Sequence, residues 1–212
     1  MSIPESGMPE TGTPQSGGAG ESQLGRLEAF SDGVLAVIIT IMALELRAPA
    51  GDSFRSLRER IPALLIYILS FTFVGIYWNN HHHLLRAARR LTPGVMWANL
   101  HLLFWLSLIP VLTEWIGEHA DKLVPAATYG VVCLASALAF TVLAIVITRA
   151  DGPDSPVAVV SGQSIKSQAS LVLYAGGTVV AFFFPWIAYI MYGTVSVIWF
   201  IPDPRLGRLK DL

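Results

Sequence analysis

Six long apolar segments, separated by short polar stretches, restrict this chain to a narrow set of folds. The apolar fraction is 53% and the charged fraction is 14%, so too few polar residues remain to cover these segments with a water-facing surface. Several segments approach the roughly 20 residues that an α-helix needs to cross a bilayer. We therefore expect an all-α integral membrane protein with six transmembrane helices per subunit in a lipid bilayer. The segments are residues 30–46, about 61–83, 95–116, 124–148, about 169–184 and 186–201.

Two prolines help to place the ends of these helices. Pro62 would lie in the first turn of the second helix, where its missing N–H group costs nothing. Pro185 divides the last apolar stretch, which is longer than one crossing of the membrane requires. We expect two short helices that meet at Pro185 rather than one long kinked helix.

The first 25 residues differ in composition from the rest of the chain. They are mainly Gly, Ser, Pro, Thr and Glu with few large apolar residues, so they cannot bury enough surface to become ordered. They also lack the basic start and apolar centre of a signal peptide. We predict a disordered cytoplasmic tail over residues 1–25 and a six-helix transmembrane domain over residues 26–212.

Lysine and arginine indicate the orientation, because they are enriched in the cytoplasmic loops of membrane proteins. If the N-terminus is cytoplasmic, nine of the 14 Lys and Arg residues fall on the cytoplasmic side and five on the outer side. We therefore expect both termini in the cytoplasm. The nine are Arg26, Arg86, Arg89, Arg90, Arg149, Lys166, Arg205, Arg208 and Lys210.

Several classes of function are not favoured by this sequence. The formal charge is -1 and no basic cluster occurs, which argues against nucleic acid as a partner. Cys133 is the only cysteine, so the chain has neither a disulfide framework nor a thiol metal cluster. No nucleophile, base and oxyanion donor group together, and no Gly-rich phosphate loop occurs. We expect neither an enzyme nor a bound cofactor.

The first apolar helix carries a pattern that a plain membrane anchor does not need. Val37, Ile41 and Leu44 are spaced four and three residues apart, so they share one helix face with Thr40 at its edge. Two interpretations remain open: a helix packed in a bundle, or the lining of a pore. We expect Val34, the first residue of this apolar run, to face lipid.

Polar residues occur where the first helix begins and where the second helix ends. With a cytoplasmic N-terminus these two ends lie at the same membrane depth, where a buried aspartate needs a cation or several donors as partners. We expect a polar network there, although an aspartate stabilised by the helix N-terminus and by water is the simpler alternative. The residues are Arg26, Ser31 and Asp32 on the first helix and Asn80, His81 and His82 on the second.

The run of His81, His82 and His83 could suggest a metal site. Neighbouring side chains on a helix point about 100° apart, so the three imidazoles cannot all bind one ion. No second cluster of His, Cys or carboxylate residues has metal-ligand spacing, so we expect no bound metal. Hydrogen bonding at the membrane edge is the expected role.

These motifs together resemble those of the transmembrane protein 175 family of potassium channels, in its prokaryotic single-repeat form. The resemblance extends over about residues 26–200. It rests on Arg26, Phe30, Ser31, Asp32 and Gly33, on Trp78, Asn80, His81 and His82, and on Asn99, Ser107 and Pro110.

The resemblance implies a homotetramer of six-helix subunits in the cell membrane, with four copies of the first helix around a path for K⁺. Val37, Ile41 and Leu44 correspond to apolar rings that constrict the pore, and Thr40 corresponds to a hydroxyl layer that favours potassium. Such rings can stop ions by losing their water. At Val37 the family more usually has isoleucine or leucine. No cofactor beyond the permeant K⁺ is implied.

Two other hypotheses remain. The chain could be a proton or cation transporter, or a leak protein, that uses Asp32 and the histidines. The middles of the apolar segments contain almost no ionisable residues, which does not favour a proton relay. The chain could also be a structural bundle without a permeation path.

Overall fold

The computed structural model describes residues 17–152, 155, 157 and 165–200. Seven α-helices have their bounds within these ranges, and the described residues contain no strand. The all-α fold expected from the sequence is therefore confirmed. The helices are α1 (Gly17–Glu45), α2 (Phe54–Ala87), α3 (Pro93–Ser107), α4 (Ile109–Glu118), α5 (Leu123–Asp151), α6 (Ile165–Ala181) and α7 (Pro185–Phe200).

Four helical stretches in the described part of the chain are long and apolar enough to cross a membrane. α6 and α7 are shorter, with 17 and 16 residues. Each would extend about 25 Å, somewhat less than the roughly 30 Å of a typical hydrocarbon core. The four stretches are Gln23–Glu45, Phe54–Ala87, Pro93–Glu118 and Leu123–Asp151.

α1 begins earlier than the sequence suggested. Its first residue is Gly17, so residues 17–25, which the sequence assigned to the tail, are helical. Leu24 and Leu27 are each only 9% exposed, so these turns bury apolar side chains against the subunit. Residues 1–16 of the expected tail lie outside the described residues.

α2 also begins before its apolar segment, and Pro62 lies inside the helix rather than in its first turn. Ser53 caps the helix, because its Oγ accepts a backbone N–H at 3.2 Å. Arg55 and Glu59 form an i,i+4 ion pair at 3.3 Å, which supports the exposed first turns. The start of α2 is therefore set by the Ser53 cap and the ion pair, and not by the start of the apolar segment.

The third apolar segment is helical on both sides of a break at Leu108, which separates α3 from α4. Pro110 lies two residues beyond the break and has no N–H to donate to the preceding turn. The N–H of Leu108 donates to the carbonyl oxygen of Trp105 at 3.3 Å, a tighter three-residue spacing. α3 and α4 together form one interrupted stretch.

Pro185 separates α6 from α7, which confirms the expected division. α7 begins at Pro185, and the N–H of Phe184 donates to the carbonyl oxygen of Val180 at 2.8 Å to close the turn. The two helices pack against each other. Gly177 permits this close approach, because a Cβ there would lie 2.6 Å from the ring of Tyr192.

α1 packs against α2, α3 and α4 of its own subunit. Leu35, Ile38 and Met42 on that side are 1%, 3% and 1% exposed and belong to the main core. Val34, expected to face lipid, is half-buried against the same core. That expectation is wrong because contact with three helices buries a broad face of α1.

Candidate functional site

A buried chain of hydrogen bonds links the middle of α1 to α3 and α2. The Nδ2–H of Asn99 donates to Oγ of Ser31 at 2.9 Å, and the Ser31 hydroxyl donates to the carbonyl oxygen of Leu27 at 2.9 Å. The Oδ1 of Asn99 lies 2.6 Å from Nε2 of His81, so Nε2 is the protonated nitrogen, since Oδ1 can only accept. Ser31, Asn99 and His81 are at most 1% exposed. These directional bonds fix α1 against both neighbours.

Asp32, next to this chain, has a partner on α2. The Nε1–H of Trp78 donates to Oδ1 of Asp32 at 3.0 Å, and an indole nitrogen is a donor only. Because α1 begins at Gly17, Asp32 lies about four turns inside the helix. The simpler alternative, an aspartate held by the helix N-terminus, is therefore wrong.

Glu28, one turn before Asp32, is a residue that the sequence reasoning missed. Its Oε1 lies 2.7 Å from Nδ1 of His82 and 3.7 Å from Nε of Arg86. The angle at Nδ1 of His82 does not fit a hydrogen bond, so the two side chains are in close polar contact without one. Glu28 and Asp32 are four residues apart on α1, and they face Trp78 and His82, which are four residues apart on α2. This matching i,i+4 spacing is the signal that could have identified Glu28.

The structure does not bring every expected residue into this network. The Nδ2–H of Asn80 donates to the carbonyl oxygen of Ile76 at 2.8 Å, and Asn80 lines a cavity shared with α5, α6 and α7. The Asn80 side chain points away from the network because successive side chains on a helix are rotated by about 100°. Arg26 is exposed, and Phe30 is 53% exposed.

The C-terminal half of α1 presents an apolar face that its own subunit does not cover. Val37, Ile41 and Leu44 are 55%, 40% and 84% exposed. Thr40, beside them, is also exposed, and its hydroxyl donates to the carbonyl oxygen of Val37 at 2.9 Å. The stripe read from the sequence is thus one continuous uncovered face.

Charged residues connect the C-terminal end of α1 to α4. The guanidinium of Arg47 lies 3.0 Å from Oε1 of Glu114 and 3.2 Å from Oε1 of Glu118. All three side chains are at least 36% exposed, and exposed pairs contribute only about 0–1 kcal/mol each. This end of α1 is therefore held less firmly than the turn that carries Ser31.

Comparisons with known proteins identify relatives that cover most of the chain and others that cover less than half of it. The sequence model of the family described as "Endosomal/lysosomal potassium channel TMEM175" matches residues 26–110. A potassium channel of Chryseobacterium sp. (strain P1-3) is 50% identical over 188 residues, covering 88% of this chain and 98% of that protein. The human endosomal/lysosomal proton channel TMEM175 is 30% identical over 109 residues, covering 46% of this chain and 22% of that protein.

A solved structure has the same fold. The crystal structure of a lysosomal potassium-selective channel TMEM175 homolog from Chamaesiphon minutus matches with a TM-score of 0.71 and 25% sequence identity. The match covers 84% of this chain and 96% of that chain, so it reaches well beyond residue 110. The chain is 50% identical to the Chryseobacterium protein over 98% of the length of that protein. The chain therefore belongs to the TMEM175 family.

Proposed function

We propose that the chain is the subunit of a potassium channel in which four copies of α1 surround the conduction path. The Chryseobacterium relative is named a potassium channel, and the Chamaesiphon structure is described as potassium-selective. The observation that carries the proposal is the uncovered face of α1 formed by Val37, Ile41 and Leu44. Because α1 buries its other side in its own subunit, this face is left for lipid or for other copies.

A second stripe on α1 favours other copies over lipid. Small side chains recur every three or four residues beside the bulky stripe, and all are exposed. Such a repeat lets membrane helices approach closely at a small crossing angle. A Cβ at Gly33 would meet nothing within 4 Å in its own subunit, so subunit packing does not require glycine there. The stripe consists of Ala29, Gly33, Ala36, Thr40 and Ala43.

Around a fourfold axis, Val37, Ile41 and Leu44 would form three successive apolar rings. A cation gains nothing from methyl groups, and water leaves a narrow apolar passage, so the rings can close the path by dewetting. Conduction then requires the four helices to separate or turn until water enters. The same rings thus serve as constriction and gate.

We assign the preference for potassium to Thr40. The Thr40 hydroxyl proton is bound to the carbonyl oxygen of Val37, so the lone pairs of Oγ1 stay available to a partly dehydrated cation. K⁺ holds its water less strongly than Na⁺, so a narrow apolar passage penalises Na⁺ more. Selectivity of this kind is weaker than that of a ring of backbone carbonyls.

The proposed subunit crosses the cell membrane six times, with α6 and α7 as short spans and both termini in the cytoplasm. The excess of Lys and Arg on the cytoplasmic side supports this orientation. It places the Ser31, Asn99 and His81 chain at the cytoplasmic side of the membrane and Arg47 at the outer side. The channel needs K⁺ as its permeant ion and carries out no catalysis.

Potassium flux in liposomes tests the proposal with a matched pair of variants. Ile41→Asn replaces an apolar ring by amides that hold water, so we expect K⁺ flux to rise by about tenfold or more. Ile145→Asn on α5 makes the same change at a residue of similar exposure, 44% against 40%, and should leave the flux almost unchanged. Equal effects of the two variants, both eluting as tetramers, would contradict the proposal.

Proton conduction is a second candidate, because the human relative is named a proton channel. The titratable residues Asp32, His81 and His82 lie where the middle of α1 meets the last turns of α2. The uncovered face of α1 offers no titratable group to continue a proton relay. We therefore expect K⁺ flux to exceed proton flux in liposomes loaded with a pH-sensitive dye. A larger proton flux, lost in a folded Asp32→Asn variant, would favour the second candidate.

A further inference from the structure

Three metal-binding side chains lie together where α1 and α2 meet. Glu28 and Asp32 are one turn apart on α1, and His82 is on the facing turn of α2. Each offers one ligand atom, and these atoms all lie within 4.8 Å of one another. The sequence expectation of no metal considered the adjacent histidines and the spacing of other ligand residues along the chain, and it did not include Glu28.

The ligand spacing suits a small tetrahedral ion. Zinc–ligand distances of about 2.1 Å place two tetrahedral ligands about 3.4 Å apart. The separation of 2.7 Å between Nδ1 of His82 and Oε1 of Glu28 and the upper limit of 4.8 Å for the cluster bracket that value. Small side-chain rotations would bring all three atoms to bonding distance.

His82 offers an available ligand atom. Its Nδ1 is shielded from solvent and has no hydrogen-bond partner among the described residues, although it lies close to Glu28. An imidazole nitrogen and a carboxylate oxygen 2.7 Å apart repel each other unless a proton or a cation lies between them. A divalent ion can take that place. Arg86, the other cation near Glu28, is 69% exposed and more distant.

Trp78 positions two of the three ligands. Its Nε1–H donates to Oδ1 of Asp32 at 3.0 Å, which leaves Oδ2 for a metal ion. Its ring stacks on the imidazole of His82, with centroids 6.0 Å apart and an interplanar angle of 29°. Partners of this kind orient metal ligands and raise metal affinity.

We propose that Glu28, Asp32 and His82 form a binding site for a divalent ion of the zinc type, with water as the fourth ligand. One imidazole with two carboxylates is a donor set that suits Zn²⁺. Mg²⁺ requires near-octahedral oxygen coordination and keeps several waters, so it competes poorly here. The site joins α1 to α2, and on the proposed channel function a bound ion restricts the movement of α1 and slows K⁺ flux.

Isothermal titration of the purified full-length protein with Zn²⁺ tests the site without any channel activity. We expect one micromolar site per subunit that a large excess of Mg²⁺ does not displace. Glu28→Gln and His82→Gln should each weaken binding by more than about tenfold, and Trp78→Phe should weaken it less. His83→Gln changes the exposed neighbouring histidine and should leave the affinity unchanged.

The outcomes separate the site from the channel proposal. The site is wrong if the wild type binds no Zn²⁺ at 100 µM, about a hundredfold above a micromolar constant, or if Glu28→Gln and His82→Gln bind as tightly as wild type. It is also wrong if His83→Gln abolishes binding. Circular dichroism and elution volume show whether each variant is folded. Zn²⁺ that binds with the predicted variant pattern but leaves K⁺ flux unchanged would support the site and overturn only its effect on α1.

Discussion

The two halves of the membrane-crossing stretch of α1, Gln23–Glu45, are held to their own subunit in different ways. In the N-terminal half, Ser31 and Asp32 bond to α3 and α2 through hydrogen bonds of 2.9 and 3.0 Å. In the C-terminal half, Ile38 and Met42 are 3% and 1% exposed and pack mainly against apolar neighbours. The Thr113 hydroxyl reaches Sδ of Met42 only at 3.8 Å, and a thioether sulfur is a weak acceptor. Hydrogen bonds fix direction and distance, whereas apolar packing is non-directional.

This difference suggests a division of labour along one helix. The N-terminal half is an anchor, because a shift of α1 there would leave buried polar groups without partners. The C-terminal half can slide or turn at lower cost, and it is the half that carries the uncovered stripe with Val37 and Ile41. A helix fixed at one end and adjustable at the other can widen a pore without losing its place in the subunit.

Removal of the anchor is expected to have the largest effect on stability. Asn99→Leu keeps a side chain of similar size but leaves the buried Nε2–H of His81 without its acceptor, which costs about 1–3 kcal/mol. It also removes one of the two hydrogen bonds of Ser31, which keeps its bond to Leu27. We expect a clear fall in the unfolding temperature in detergent, followed by tryptophan fluorescence. Ser107→Ala, on the same helix but exposed, should change stability by no more than about 0.5 kcal/mol. If both variants unfold alike, the chain of hydrogen bonds is not an anchor.

The anchor also shows what the sequence could and could not reveal. The apolar segments and Pro185 predicted the helices, because both signals depend only on residues that are close in sequence. These signals are the length of an apolar segment and the N–H group that proline lacks. The partner of Asp32 depended on how α2 is rotated against α1, which no single segment specifies. Asn80 was misplaced for the same reason, since it lies on the opposite side of α2 from the network.

Periodicity located the stripe on α1 but not its surroundings. Val37, Ile41 and Leu44 fall on one face in any helix, so the spacing is equally compatible with core packing and with exposure. Only the positions of α2, α3 and α4 show that the subunit leaves this face uncovered. An assembly of four copies depends on contacts between chains, which the spacing of residues along one helix does not specify.

Thr40→Val tests whether the Thr40 hydroxyl, in the C-terminal half of α1, contributes to potassium selectivity. The substitution keeps the shape of the side chain and removes the oxygen that would contact the cation, so we expect K⁺ preference over Na⁺ to fall several-fold with little loss of flux. Thr194→Val is the control, because Thr194 is also exposed and its hydroxyl also bonds to its own helix, at 2.8 Å. Reversal potentials in planar bilayers measure both. An unchanged potassium preference in Thr40→Val would remove the hydroxyl layer from the mechanism.

Arg47→Ala should have the smallest effect. It breaks two exposed ion pairs with Glu114 and Glu118, worth about 0–1 kcal/mol each, at the end of α1 that is held weakly. We expect a small fall in the unfolding temperature. The fall should be smaller still in 1 M salt, where exposed charges are screened over about 3 Å. A destabilisation as large as that of Asn99→Leu would show that both ends of α1 are anchored.

The most direct test of the central claim is whether the uncovered face of α1 meets water and ions. Leu44→Cys and Ile190→Cys place a thiol at exposed apolar positions of α1 and α7, 84% and 68% exposed in wild type, while the native Cys133 is buried. A charged, membrane-impermeant thiol reagent added during K⁺ flux should react with Leu44→Cys and block the flux, and should leave Ile190→Cys and wild type conducting. If Leu44→Cys stays unreactive, or if Ile190→Cys is blocked to the same extent, the stripe faces lipid and α1 does not line the path.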